Sequence, residues 1–170
     1  YDAISNGNII GYGNQFGINN VTTNQTVYPE AVRGPLHYRN SLFTTANTAT
    51  NWNGVMFNII ALSAITIDSL QIKVNSTGSQ GVVAYNRLGS IVGNEMNASA
   101  WNSWGIDTVN ATVAGEFKTI DIPDVSLLAN DTLGVYIHMQ SAGATLTDLN
   151  RAAAIYSNSE IQVQDGTGSA

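Results

Sequence analysis

Short stretches of alternating apolar and polar residues recur along the chain from residue 54 onward. The clearest is Thr132–Met139, where Leu133, Val135, Ile137 and Met139 occupy every second position. A period of two places these side chains on one face of a β-strand, directed inward. The other predicted strands are Gly54–Leu62, Ala64–Val74, Gly81–Asn86, Phe117–Ile122, Ala152–Tyr156 and Glu160–Val163.

The same pattern predicts where strands bend and end. In Ala64–Val74 the apolar positions change parity around Asp68-Ser69, which indicates a β-bulge. Pro123 is expected to end the strand that precedes it, because proline has no backbone N–H to donate. The polar segments predicted to be turn-like are Thr44–Asn53 and Asn75–Gly78, and Glu95–Trp104 is expected to hold one helical turn with Asn94 as its cap.

No stretch keeps a helical period over three turns. Eight to ten short strands separated by frequent turn signals are typical of an all-β fold. The expected architecture is an antiparallel two-sheet β-sandwich, Ig-like or jelly-roll-like, with an N-terminal extended arm. We assign residues 43–170 to the sandwich domain and residues 1–42 to the arm and edge-strand region.

The N-terminal arm has its own pattern, in which glycines separate apolar residues. Ile10, Tyr12, Phe16 and Ile18 share the parity of one strand face, although the glycines make the strand a weak one. Two interpretations follow. The segment is either an edge strand of its own sandwich or an arm that pairs with a neighbouring subunit.

Charge and composition exclude several classes of partner. The net charge is −6, the isoelectric point is about 4.5 and there is no cysteine. An acidic chain is a poor partner for nucleic acid or for anionic lipid surfaces, and without cysteine it has neither disulfides nor thiolate-bound zinc. No apolar run approaches the roughly 18 residues of a membrane span.

The start at Tyr1-Asp2-Ala3, without Met, is what a mature secreted protein shows after signal cleavage.

Asn-X-Ser/Thr sequons are a further indication of a secreted protein, since they accept glycans on the secretory route. Asn75 is the expected acceptor, because it lies in a predicted turn and should be exposed. An Asn/Thr/Ser/Gly-rich surface with few lysines and arginines also favours an extracellular location. The six sequons are at Asn20, Asn24, Asn75, Asn97, Asn110 and Asn130.

From Phe43 to Ala170 several motifs follow one another in a distinctive order. They are FTT from residue 43, NGVMFNIIA from 53, TIDS from 66, YNRLGSIVG from 85, LANDTLGVY from 128 and a closing IYSNSEIQVQDGTGSA from 155. In this order they resemble a β-sandwich domain of large secreted and cell-surface proteins of bacteria. The resemblance implies an extracellular module with no catalytic residue. It also implies that a further strand follows the final Gly-x-Gly-x-Ala, where this chain stops at Ala170.

No set of residues predicts catalysis. His37 and His138 are the only histidines, and they have no partner histidine nearby in sequence. Ser90 lacks the spacing of a nucleophile elbow. The carboxylates are scattered among turn-like segments rather than paired as in a glycosidase. We therefore predict a protein without enzymatic activity and without a required cofactor.

Two segments carry residues suited to binding a ligand. Calcium takes carboxylate, carbonyl and amide oxygens, and Asn130–Thr132 and Asp165–Gly168 offer such groups, although a metal-free turn is the better interpretation. Trp101 and Trp104 flank Asn102-Ser103 and are candidates for a sugar-stacking platform. The competing interpretation is that a tryptophan here closes one end of the core.

Together these patterns favour a structural or adhesive subunit of an extracellular assembly, such as a filament, matrix or surface layer. The arm, the missing last strand and the weakly charged surface predict assembly from copies of the chain by strand complementation. The alternative is a carbohydrate-binding module or lectin-like domain.

Overall fold

The computed structural model describes residues 40–44, 46–149 and 155–169. The described residues from Ser41 onward form one compact unit. Residues 1–39 lie outside the described part of the chain. The arm, its four apolar positions and the division at residues 42 and 43 therefore remain predictions.

Strands account for most of the described residues, and they form two antiparallel sheets. The strands are β1 (Ala46–Trp52), β2 (Gly54–Ala61), β3 (Ile65–Val74), β4 (Gly78–Leu88), β5 (Asn102–Ala111), β6 (Glu116–Leu127), β7 (Thr132–Met139), β8 (Leu146–Leu149), β9 (Ile155–Ser157) and β10 (Ile161–Ser169). One sheet has four strands in the order β1-β8-β3-β6. The other has six, in the order β5-β4-β7-β2-β10-β9. The predicted two-sheet β-sandwich is confirmed.

The core lies between the two sheets and follows the predicted alternation. Leu133, Val135, Ile137 and Met139 of β7 are almost completely buried, as their spacing predicts. The β-bulge in β3 is also confirmed, because the register with β6 shifts between Ile67 and Ser69. The bulge keeps the apolar residues on both sides of it directed inward despite their change of parity.

Several segments differ from their predicted structure. The segment predicted to be turn-like before Gly54 contains β1, and β5 and β8 were not predicted. Strand β6 continues through Pro123 because it lies at the edge of its sheet, where the missing N–H breaks no ladder bond. The single helical turn is a 3-10 helix at Ala98–Ala100 that follows Asn97 rather than Asn94, and Asn97 makes no capping bond.

The connection between β4 and β5 folds over the outer face of the six-stranded sheet. The amide of Asn58, itself 5% exposed, donates from Nδ2 to Ser90 Oγ over 3.1 Å and accepts the backbone N–H of Ile91 at Oδ1 over 2.9 Å. Ile91 is thereby held against Gly134 of β7, where an added Cβ would lie 3.1 Å from Ile91 Cγ2. A buried polar side chain therefore fixes this loop to the sheet.

Candidate functional site

Strands β5 and β6 close one side of the sandwich, which we call the closed edge. The buried indole of Trp104 donates from Nε1 to the carbonyl oxygen of Pro123 over 2.7 Å. Further along, the Asp107 carboxylate accepts the backbone N–H of Asp121 over 2.9 Å. These side chains cross from one sheet to the other, and they occupy hydrogen-bonding groups that an edge strand would otherwise present to a neighbour.

A charged cluster at the β5–β6 turn also belongs to the closed edge. Glu116 accepts hydrogen bonds from the backbone N–H and hydroxyl of Thr112 and forms an ion pair with Lys118 at 2.5 Å. The bond from Lys118 is the largest cause that lowers the pKa of Glu116 from 4.5 to about 2, and the N–H of Thr112 adds to it. The turn is therefore held by a carboxylate that stays ionised well into the acid range.

Among the residues that the structure describes, the four-stranded sheet is only partly paired between β3 and β8. Strand β3 pairs with β6 along its whole length, from Ile65 opposite Leu127 to Val74 opposite Glu116. On its other side, within the described part of the chain, β3 pairs with β8 at one position, where Val74 lies opposite Leu146. We call Ser69–Lys73 of β3, on the side that faces β8, the open edge.

The core beside the open edge is only partly covered. Phe57 and Val55 of β2 are packed against the core but remain half-exposed, and so do Ile67 and Leu70 of β3. By contrast, Ile72 and Val74, next to the single pair with β8, are buried. Within the described part of the chain, these core-facing apolar side chains therefore stay partly in contact with water.

Asn75 closes one end of the open edge. Its side-chain Nδ2 donates to Asn51 Oδ1 of β1 and to Thr147 Oγ1 of β8, each over 2.6 Å. The residue is half-buried rather than fully exposed as its predicted turn suggests, and its role as a glycan acceptor stays a prediction. A turn sequence indicates exposure, but it does not show that residues of two neighbouring strands will accept hydrogen bonds from the asparagine amide.

Three other sequons are exposed: Asn97 before the 3-10 helix, Asn110 near the end of β5 and Asn130 in the β6–β7 turn. Asn130 has a φ of 74°, a backbone conformation that asparagine tolerates better than most residues. The remaining two sequons, at Asn20 and Asn24, lie outside the described residues. Glycosylation of any of these asparagines stays a prediction.

The two tryptophans predicted to form one platform lie in different environments. Trp104 is 5% exposed and belongs to the core, as the competing interpretation of these tryptophans had it. Trp101 is half-buried on the outer face of the six-stranded sheet, where its ring meets that of Tyr136 edge-on at 5.9 Å between centroids. Tyr85 stacks on Tyr136 at 5.6 Å, and His138 meets it edge-on at 5.9 Å. The aromatic cluster is thus Tyr85, Trp101, Tyr136 and His138.

The candidate residues for catalysis and metal binding are not brought together. Ser90 Oγ bonds Asn58 Nδ2 and the backbone N–H of Val92, while His138 lies in the aromatic cluster. Asp131 accepts the backbone N–H of Leu128 across its own turn. Among the residues that the structure describes, no three His, Cys, Asp or Glu side chains form a metal-binding group. His37 and the side chain of Asp165 lie outside that description.

No protein-family model matches the chain, and no curated protein matches it. Over the described ranges, no helix is long and apolar enough to cross a membrane. The resemblance to a domain of bacterial secreted and cell-surface proteins therefore stays a prediction.

Proposed function

We propose that the protein is a non-enzymatic structural or adhesive subunit of an extracellular assembly, built from copies of itself by strand complementation. The observation that carries this proposal is the open edge of β3 beside half-exposed core residues. An unfinished sheet presents backbone donors and acceptors, and an added strand satisfies them. The same strand would cover the apolar side chains with its own.

The sequence supplies a segment suited to that role. Ile10, Tyr12, Phe16 and Ile18 alternate with glycines and polar residues in the arm. Full burial of such a side chain contributes about 1.5–3 kcal/mol. Ordering each residue of the arm costs about 1–2 kcal/mol. Apolar burial alone does not offset that cost, so main-chain pairing with β3 has to contribute to the stability of the docked strand.

Composition supports an extracellular assembly. With only 11% charged residues and no cysteine, the chain has a weakly charged surface and does not depend on disulfides. A surface of this kind can approach its own copies with little desolvation of charge. Secretion and assembly are thus proposed together, and both follow from the same polar and weakly charged surface.

A carbohydrate-binding role is the second candidate, and the aromatic cluster favours it. Half-exposed rings on a flat sheet can cover the apolar faces of sugars, and Trp101 is fixed by a bond from its Nε1 to Asn94 O of 3.0 Å. However, the faces of Tyr85 and Tyr136 are turned toward each other. A stacked cross-strand pair also stabilises a sheet without any ligand, so this role comes second.

The proposed function is tested by following assembly of the full chain. Electron microscopy and sedimentation over a range of concentrations should show polymers. A variant with Ile10, Tyr12, Phe16 and Ile18 all changed to serine, and a second lacking residues 1–19, should stay monomeric. A matched control on the opposite strand face of the same segment, Gln15→Ser, should assemble normally.

Two results would contradict the proposal. One is a full chain that remains monodisperse at every concentration. The other is normal assembly of the serine variant and of the truncated chain. Binding of an oligosaccharide that is lost in Trp101→Ala, together with a monomeric full chain, would instead support the second candidate.

A further inference from the structure

We propose that Asn130 carries an N-linked glycan whose first sugar lies on three exposed leucines at one end of the sandwich. We call these leucines, Leu62, Leu88 and Leu128, the leucine patch. The inference rests on the extracellular location in the proposed function. It goes beyond that function because it assigns a modification site and an occupant that assembly of subunits does not require.

The leucine patch exposes large apolar side chains to water. Leu88 is 72% exposed, Leu128 71% and Leu62 44%. Single exposed apolar residues are ordinary on a folded protein, whereas several that lie together mark a surface that is covered in use. The position of the three leucines relative to one another therefore decides what this surface means.

The β6–β7 turn, which contains the sequon, joins two of these leucines. The N–H of Leu128 donates to Asp131 Oδ2 over 2.8 Å, and the N–H of Asp131 donates to Leu128 O over 3.0 Å. The N–H of Asn130 donates to Ala61 O over 2.7 Å, and Leu62 is the next residue along the chain. Both leucines thus lie beside the predicted glycan acceptor.

The third leucine reaches the same turn from β4. Leu88 lies opposite Leu133 of β7, and the N–H of Gly89 donates to Thr132 O over 2.7 Å. Thr132 is the last residue of the sequon. Each leucine is therefore either bonded to the sequon turn through its own backbone or is the chain neighbour of a residue that is.

Asn130 is suited to carry the sugar that covers the patch. The residue is exposed, and its φ of 74° is held by the bond to Ala61 O. Pyranose rings have apolar C–H faces, which lose contact with water when they lie on leucine side chains. A covalent tether raises the effective concentration of the sugar at the patch to about the millimolar range, so contacts too weak to bind a free sugar suffice.

The test uses the full chain, glycosylated by an oligosaccharyltransferase and trimmed by an endoglycosidase to one N-acetylglucosamine at each site. The same chain without this treatment is the bare reference. Thr132→Val removes the sequon but keeps Asn130 in its positive-φ turn. The matched control, Asn110→Gln, removes an exposed sequon on β5, where Asn110 lies opposite Ser79. Peptide mass spectrometry identifies the modified asparagines, and thermal melting confirms that each variant is folded.

Two measurements report contact between the sugar and the leucines. In the parent chain, nuclear Overhauser effects should connect the acetyl methyl group of the sugar on Asn130 with leucine methyl groups of the patch. Fluorescence of an apolar dye should fall by at least about twofold on glycosylation, because exposed apolar surface is covered. The fall should persist in Asn110→Gln and disappear in Thr132→Val. Leu88→Ser with Leu128→Ser should lower dye fluorescence of the bare chain to the same level.

Three results would overturn the inference. The first is a bare Asn130 in protein modified at Asn97 and Asn110. The second is a sugar on Asn130 that shows no Overhauser effect to the leucines. The third is a bare chain that dimerises and becomes monomeric in Leu88→Ser with Leu128→Ser, which would assign the patch to an interface between copies. The serine variant of the arm tests the proposed function separately, so the two failures are distinguishable.

Discussion

The two edges of the β3–β6 pair differ sharply in how they end. At the closed edge, β6 meets β5, and side chains from both strands occupy groups that would otherwise face a neighbouring chain. At the open edge, β3 meets β8 at one residue pair, and inward-facing apolar side chains remain half-exposed. Over the described residues, one side of this strand pair is thus protected by side chains, while the other is paired with β8 at a single position.

The means of protection at the closed edge are ordinary for edge strands. Pro123 has no N–H to offer, Asp107 accepts the N–H of Asp121, and a charged cluster surrounds Glu116 at the turn. Proline, inward bonding and charge each discourage edge-to-edge pairing. The open edge has no such device among the described residues of Ser69–Lys73 apart from Lys73, whose amine lies 5.8 Å from the centre of the Phe117 ring. The contrast favours docking at the open edge rather than accidental aggregation.

The largest expected effect is a difference in the free energy of unfolding that is lost when a leucine is removed from a buried position and from a half-exposed one. Leu133→Ala removes a side chain that is 1% exposed and should destabilise the fold by about 2–5 kcal/mol. Leu70→Ala removes the same atoms from a half-exposed position and should cost clearly less in the isolated subunit. Chemical denaturation of both variants in the non-assembling serine background measures the difference. Equal losses would mean that Leu70 is already covered and that the open edge is occupied.

The next effect concerns the loop over the six-stranded sheet, away from both edges. Asn58→Ala leaves the buried N–H of Ile91 without its acceptor, and we expect a loss of about 1–3 kcal/mol. Assembly per folded molecule should be unchanged, since this loop belongs to neither edge. Chemical denaturation measures the loss of stability, and sedimentation measures assembly. Asn94→Ala, a substitution elsewhere in the same loop, is the control. If the Asn58→Ala protein is fully folded but does not assemble, the outer face of the six-stranded sheet takes part in subunit contacts.

A third prediction uses glycan acceptance as a probe of the surface. Folded protein, an oligosaccharyltransferase and a lipid-linked oligosaccharide should give glycopeptides containing Asn97, Asn110 and Asn130, whose amides are exposed. Asn75 should stay bare because its amide binds Asn51 and Thr147 at the end of the open edge. Mass spectrometry of the peptides decides this. Asn75 modified as readily as Asn97 would mean that β8 separates from β3 even at its single pair.

The smallest effect is the pH dependence of the closed edge. The pKa of Glu116 is lowered to about 2, so its bonds stabilise the folded state above the ordinary value of 4.5. This contribution is lost as the pH falls from about 4.5 to about 2, where the folded carboxylate takes up its proton. Glu116→Gln should therefore be slightly less stable than the parent at pH 7 and equal to it near pH 2. A gap that does not narrow over this range would show that Lys118 and Thr112 do not hold the carboxylate.

Much of the fold could be predicted, because a strand that buries one face in the core needs an apolar side chain at every second position. The inward face of β7 and the bulge in β3 follow directly from apolar spacing. Strands β1 and β5 carry mostly small, polar or exposed residues, and partner strands rather than their own apolar pattern define them. The prediction that Pro123 ends its strand is wrong because the effect of a proline depends on the position of its strand in the sheet, which the sequence does not state.

The candidate site was less predictable, since it arises from pairing between distant segments. The one described pair between β3 and β8, Val74 opposite Leu146, depends on where β8 begins, and this start has no signal in the sequence. The amide of Asn75 is used by residues 24 and 72 positions away along the chain. Likewise, the separation of Trp104 from Trp101 depends on the start of β5, which places Trp104 on the inner face.

The unequal edges have a consequence for the direction of any assembly. In the proposed assembly the arm and the acceptor are different surfaces, so each contact would be heterologous, and a row of subunits would not close upon itself unless the geometry bent it into a ring. Such a row has a polarity. It finishes at one end with an unused peptide arm and at the other with an uncovered apolar cleft. Growth at the two ends would then proceed at different rates, and a protein carrying only one of the two surfaces would start a row or stop it.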